Sequence, residues 1–149
     1  MTYIEQLQEF VKKLGYGSIA TASGRYYAMD RDKRWERVQV AFDALVSGKG
    51  EESADFLKTV NEKYQKDETD EFLKPLILNK EGLVGGLSIF FNFFSGLAQF
   101  SFAWISLSHV DDDTMLFFNY RSDRMREIVE SFGFEDRKFT PERVPKNLV

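Results

Sequence analysis

Apolar residues recur at helical spacing in four places along the chain, and each recurrence has a start or stop signal beside it. Ile4, Leu7, Phe10, Val11 and Leu14 fall on one face of a predicted helix that runs to Gly15. Thr2 and Glu5 form a capping box at its start, and Lys12 and Lys13 suit the negative end of its dipole. Trp35, Val38, Phe42 and Leu45 make the buried stripe of a second helix that Gly48 ends. Ser53 opens a third, with Leu57, Val60 and Tyr64 on one side, and Ser122 caps a last one with Met125, Ile128, Val129 and Phe132 inward. Between the helices lie β signals. Residues 18–22 read as a short strand and Met115 to Tyr120 as a buried one, whereas Pro75 makes FLKPLIL an edge or irregular strand. QKDETDE is a polar loop, and FTPERVPKNLV, with two prolines and no period, reads as a linker or a cut end. Helices alternating with strands predict an α/β fold, a layered sheet with flanking helices.

The chain of 149 residues has the length of one ordinary domain. Its net charge of −4 argues against a polyanion-binding protein, so any basic site must be local. With no cysteine there is no disulfide, thiolate metal site or thiol nucleophile, which fits a reducing compartment. The charged, amphipathic N-terminus is not a secretory signal, and a cytoplasmic protein is expected.

The densest chemistry is in SGRYYAMDRDKRWERV, residues 23–38, where five cations and three acids alternate with Tyr26, Tyr27, Met29 and Trp35. Planar guanidinium forks beside rigid rings are suited to phosphate and carboxylate oxygens. Arg25 and Arg31 lie between a strand and the Trp35 helix, and Arg121 and Arg124, in RSDR, lie at a second strand-to-helix joint. In open α/β sheets, anions collect at such joints. Two readings follow from the spacing and both stand: one shared anion pocket, or surface ion pairs with Asp30, Asp32, Asp123 and Glu127. Stacking on single-stranded nucleic acid is a weaker use of so small a positive excess, and no nucleic-acid partner is expected. Asp111, Asp112 and Asp113 lack the glycine and distal glutamate of a calcium loop and read as a turn. Gly82, Gly85 and Gly86 precede no GKS or GKT, so there is no P-loop.

SGRYYAMDRDKRWERV, then DEFLKP at 70–75, then FFNYRSDRMREI at 117–128, resemble in order the substrate-binding domain of cofactor-independent phosphoglycerate mutases. The resemblance covers most of residues 2–86 and 111–149 and corresponds to a middle portion of a longer family chain. It implies interconversion of 3-phosphoglycerate and 2-phosphoglycerate in glycolysis and gluconeogenesis, with two manganese or magnesium ions and a serine that is transiently phosphorylated. It also implies that Arg25, Arg31, Arg121 and Arg124 hold the substrate's phosphate and carboxylate, with Asp30 and Trp35 orienting and packing. The family's serine nucleophile and Asp/His metal ligands belong to a phosphatase-type domain, and this chain has one histidine, His109, and no HxxxD. No catalytic or metal-ligating residue is therefore assigned. The chain is expected to supply the arginine clamp of a partial substrate-binding domain and to be inactive without a phosphatase-type domain.

From Leu83 to Val110 there is no Asp, Glu, Lys or Arg. The stretch exceeds the about 20 residues of a membrane-spanning helix, yet Asn92, Gln99, His109 and several serines weaken that reading, and membrane association is not expected. A pair of core strands is a second reading. The favoured third is that residues 87–110 are an apolar insertion foreign to the fold, since the family crosses from NKEGLVGG to DDDTMLFF through a few residues. IFFNFFSG at 89–96 echoes LFFNYRSD at 116–123, by duplication or by chance in a phenylalanine-rich segment, with Phe94 where Arg121 stands.

Overall fold

The twelve residues after the N-terminal dipeptide coil into the predicted helix, but its apolar face has few partners. A computed structural model describes residues 3–80, 83, 88–95, 98–103, 115–119 and 121–146. Helix α1 spans Tyr3–Leu14 and buries only Ile4 fully, while Phe10, Leu14 and the following Tyr16 are exposed. Strand β1 (Thr21–Gly24) is followed at once by a one-turn helix α2 (Arg25–Ala28), and α3 (Trp35–Ser47) carries the expected stripe. Gly48 ends α3 as foreseen, in the left-handed conformation at φ 66° and ψ 30° that a glycine adopts without a Cβ penalty. A two-residue strand β2 (Glu51–Glu52) and helix α4 (Phe56–Tyr64) come next. Strand β3 is Leu76–Ile77, β4 is Ser88–Ser95, β5 is Ala98–Ala103 and β6 is Met115–Phe118. A 3₁₀ turn (Ser122–Arg124) then leads into α5 (Arg126–Gly133).

The six strands form one mixed sheet in the order β2-β3-β1-β5-β4-β6. β1 is antiparallel to β5, β5 is antiparallel to β4, and β4 is parallel to β6. β1 and β6 therefore run the same way, and their carboxyl ends open on one edge of the sheet. Two apolar cores flank it. The larger joins Val38, Phe42, Leu45 and Val46 of α3 to Ile128 and Phe132 of α5, with Met115 and Phe117 of β6 against it. The smaller joins Ile4 of α1, Phe56 and Val60 of α4, and Ala22, Leu73 and Leu76.

Several expectations are corrected. The first strand lies at 21–24 because its partners fix it there, Thr21 opposite both Ile77 and Ala103. β3 lies inside the sheet, between β2 and β1, and Pro75 sits just before it, so the missing N–H costs no ladder bond while its carbonyl accepts from Glu51 N–H at 3.0 Å. Asp55, not Ser53, caps α4 by accepting from Lys58 N–H at 3.1 Å. Ser53 instead shares a hydroxyl bond of 2.8 Å with Thr59. The last helix begins at Arg126 after Met125, so Ser122 opens the 3₁₀ turn rather than the helix. β6 is an edge strand with Leu116 exposed and Phe117 half-buried, not one buried on both faces. The tail is irregular but is not a free linker up to 146. Phe139 packs edge-on to Phe42 at 5.4 Å, and Thr140 O accepts from Gln39 Nε2 at 3.3 Å.

The described parts of the uncharged stretch are β4 and β5, an antiparallel pair between β1 and β6. Strands and an inserted origin are compatible. Ile89 pairs with Leu116 and Phe90 with Phe117, so the two echoing segments lie side by side in register. Among the described residues no helix is long and apolar enough to cross a membrane. Thr2 of the capping box, Gly82, Gly85, Gly86, His109, Asp111 to Asp113 and Tyr120 lie outside the described residues.

Candidate functional site

Because β1 and β6 share a direction, the residues that follow them meet. Gly24 ends β1 against the backbone of residues 70–73, donating its N–H to Leu73 O at 2.8 Å while Tyr26 N–H donates to Glu71 O at 2.9 Å. That approach sets Arg25 at the first position of α2, where its Nη2 meets Glu71 Oε2 at 2.5 Å. Arg31 leaves the loop between α2 and α3 and pairs with Asp123 at 3.2 Å across the sheet edge. Beyond β6, Asn119 Oδ1 accepts from Arg121 N–H at 2.8 Å, an Asx-type turn that re-aims the chain. Arg124, in the 3₁₀ turn, donates from Nη1 to Met29 O at 3.0 Å, and its Nε is buried without a partner.

The four predicted arginines are thus brought together, and their fields overlap. Burial first, then the positive charges of Arg31, Arg25 and Arg121, lower the proton affinity of Arg124, with Asp123 opposing. A guanidinium does not lose its proton in a protein, so this repulsion persists. An ion pair of the competing reading is present too, in Arg31–Asp123, whereas Asp30 pairs instead with Arg37 at 3.6 Å. Both features coexist at one edge.

Residues around the arginines hold the loops in place. Asp30, 5% exposed, accepts at Oδ2 from Asp32 N–H at 3.0 Å and from Arg34 N–H at 2.9 Å. Arg37 lies 3.8 Å from the centre of the Tyr26 ring, a cation–π contact that ties α3 to α2. Trp35 packs against the larger core. Glu127, expected in an ion pair with the arginines, accepts instead from Lys33 N–H at 2.9 Å, and Glu71 was not legible as a site residue: Glu71 lies 46 positions from Arg25, and no local period marks it. Its only signal is its place in DEFLKP.

No group of three or more His, Asp or Glu that could hold a metal ion exists among the described residues. The donors among the described residues do not fit the two metal ions that the family resemblance implies.

Residues 1–96 match the family model described as the BPG-independent PGAM N-terminus. A 2,3-bisphosphoglycerate-independent phosphoglycerate mutase of Brugia malayi is 43% identical over 150 aligned residues, covering 98% of this chain and 24% of the relative. That of Onchocerca volvulus is 45% identical over 138, covering 91% and 22%, and that of Acetivibrio thermocellus 40% over 144, covering 93% and 24%. The chain spans about a quarter of the length of these relatives. A crystal structure of Leishmania mexicana phosphoglycerate mutase at low cobalt concentration superposes with a TM-score of 0.69 at 23% identity, covering 97% of this chain and 24% of that one, a likeness of fold. The order of motifs, the α/β sheet and the extent of the match lead to one assignment: this chain belongs to the BPG-independent phosphoglycerate mutase family, as a partial chain matching its N-terminal family model.

Proposed function

We propose that the chain supplies the phosphoglycerate-holding arginines of a BPG-independent phosphoglycerate mutase, a cytoplasmic enzyme whose nucleophile and metal ions belong to a phosphatase-type domain. The observation that carries this reading is the convergence of Arg25, Arg31 and Arg121 on Arg124, whose Nε is buried without an acceptor. An anion with a carboxylate at one end and a phosphate at the other relieves the mutual repulsion and accepts from guanidinium donors. In this role the four arginines bind and orient the substrate, which is the larger part of catalysis in phosphoryl transfer. The chain by itself holds substrate and does not turn it over.

Calorimetric titration with 3-phosphoglycerate tests the reading. Arg25→Ala and Arg121→Ala are each expected to weaken binding by at least about tenfold, since a charge-assisted hydrogen bond is worth about 1.5–3 kcal/mol. Absence of heat from the unmodified chain removes the proposal. Manganese-dependent turnover by the purified chain in an enolase-coupled assay removes its second half.

The same reading makes residues 87–110 an insertion into the family's sheet. In support, the antiparallel β4–β5 pair stands between two strands, β1 and β6, that run in the same direction. Deletion of 87–110 is expected to leave a cooperatively unfolding chain that binds 3-phosphoglycerate. A deleted chain that fails to fold sinks the insertion reading alone.

A further inference from the structure

Three contacts stitch the loop bearing Arg31 to the segment bearing Arg121 and Arg124. Arg124 Nη1 donates to Met29 O at 3.0 Å, Arg31 pairs with Asp123 at 3.2 Å, and Lys33 N–H donates to Glu127 Oε1 at 2.9 Å. The first two spend donors of the arginines themselves, so a bound anion competes with them. The third uses no arginine donor, so a bound anion does not compete for it.

Glu127 is 6% exposed on α5, and the amide it holds is not easily held otherwise. Lys33 has φ 58°, a left-handed conformation that costs a residue with a side chain about 1 kcal/mol. Its N–H lies between those of Asp32 and Arg34, both taken by Asp30 Oδ2. Two buried carboxyls thus bind three consecutive amides and define the path of the loop from which Arg31 projects. Glu127 Oε2 is buried and has no donor. Asp30 and Asp32 face it from the loop, Arg37 of α3 lies 3.6 Å from Asp30, and Arg31, Asp123 and Arg124 border the same joint. Burial, chiefly, pushes the Glu127 carboxyl up to about 6; the Lys33 N–H opposes the shift, and the Asp30 side chain and the charge of Asp32 add to it. A proton on Oε2, directed at Asp30, satisfies the orphaned oxygen and removes the repulsion between two carboxylates.

We propose that Glu127 is a positioning residue for the anion site, fixing Arg31 relative to Arg124 by holding the Lys33 amide. The role in binding rests on the phosphoglycerate-clamp reading; the placement of Arg31 does not. Its readout without ligand is the Asp123 carboxyl, which Arg31 holds below the usual range, mainly through their hydrogen bond.

The test uses the full chain with Glu127→Gln, which keeps an acceptor for Lys33, and Glu127→Met or Glu127→Ala, whichever unfolds cooperatively. Asp123 is titrated by carboxyl NMR, and 3-phosphoglycerate binding is measured by calorimetry. Removing the acceptor is expected to move the Asp123 midpoint up toward the ordinary value of about 3.9 and to weaken binding at least about tenfold. E127Q is expected to leave both near the unmodified chain. Because the raised carboxyl keeps its proton in the folded chain, stability falls as pH rises from about 4.5 through about 6, and E127Q abolishes that slope. An acceptor-free variant with unchanged Asp123 midpoint and affinity overturns the proposal. If the unmodified chain binds no 3-phosphoglycerate, the clamp reading falls, and the Asp123 midpoint alone decides whether Glu127 places Arg31.

Discussion

Gly24→Ala is expected to cost about 3 kcal/mol or more of unfolding free energy, in the range of severe overpacking against atoms that cannot yield. A Cβ on Gly24 would stand 2.5 Å from Glu71 O, 2.6 Å from Leu73 N and 2.8 Å from Asp70 O. All three are backbone atoms, so no side-chain rotamer relieves the clash. The backbone angles, φ −68° and ψ 153°, are open to any residue, and the demand for glycine is one of space. Displacing residues 70–73 breaks the 2.8 Å bond from Gly24 N–H to Leu73 O and draws Glu71 away from Arg25, so stability and anion affinity fall together. Gly133→Ala provides the contrast, having nothing within 4 Å of the added methyl at the end of α5. Urea unfolding of the two variants decides the matter. A Gly24→Ala midpoint equal to that of Gly133→Ala would show that the two backbones separate at little cost.

Phe42→Ala is expected to lower stability by about 3–5 kcal/mol, the cost of removing a large buried ring and leaving the cavity. Phe42 is 0% exposed and stacks with tilt on Phe132 at 4.6 Å while meeting Phe139 edge-on. It therefore joins α3, α5 and the irregular tail through a single side chain. Domains of this size have only about 5–15 kcal/mol in hand, so the variant retains a small part of its stability. Val40→Ala, on the exposed side of the same helix, should stay within about 0.5 kcal/mol of the unmodified chain. Denaturant curves with equal slopes for both variants check the comparison. A Phe42→Ala loss below 1 kcal/mol would mean that the larger core closes over the gap.

The period of α3 was readable because Trp35, Val38, Phe42 and Leu45 face one core and Gly48 must adopt a positive φ. The same logic placed α1 but misjudged its face, since Phe10 and Leu14 repeat correctly and yet stay in solvent. Periodicity states which residues share a side, not whether anything covers it. α2 and β2, of four and two residues, are too short to carry a period. β1 was read two or three residues early because Ser18 to Ala22 is apolar enough, while its bounds come from the register with β3 and β5. At the site, all four arginines were named from their positions at strand-to-helix joints. Glu71 was missed as a partner, and Glu127, expected in an ion pair with the arginines, holds the Lys33 amide instead, because acids on a charged surface look alike until the chain folds them against a particular amide or guanidinium.

By itself the sequence determined the helix faces, the stop at Gly48, the two arginine pairs and the likeness of three ordered motifs to one enzyme family. Only the tertiary structure decided that β1 and β6 point the same way, which puts both pairs on one edge of the sheet and lets Arg124 feel the other three. Local periodicity is set within a few residues of chain. Strand order and direction depend on which distant segments recover the cost of closing the loops between them, and the positions of Arg25, Arg31, Arg121 and Arg124 follow from that choice.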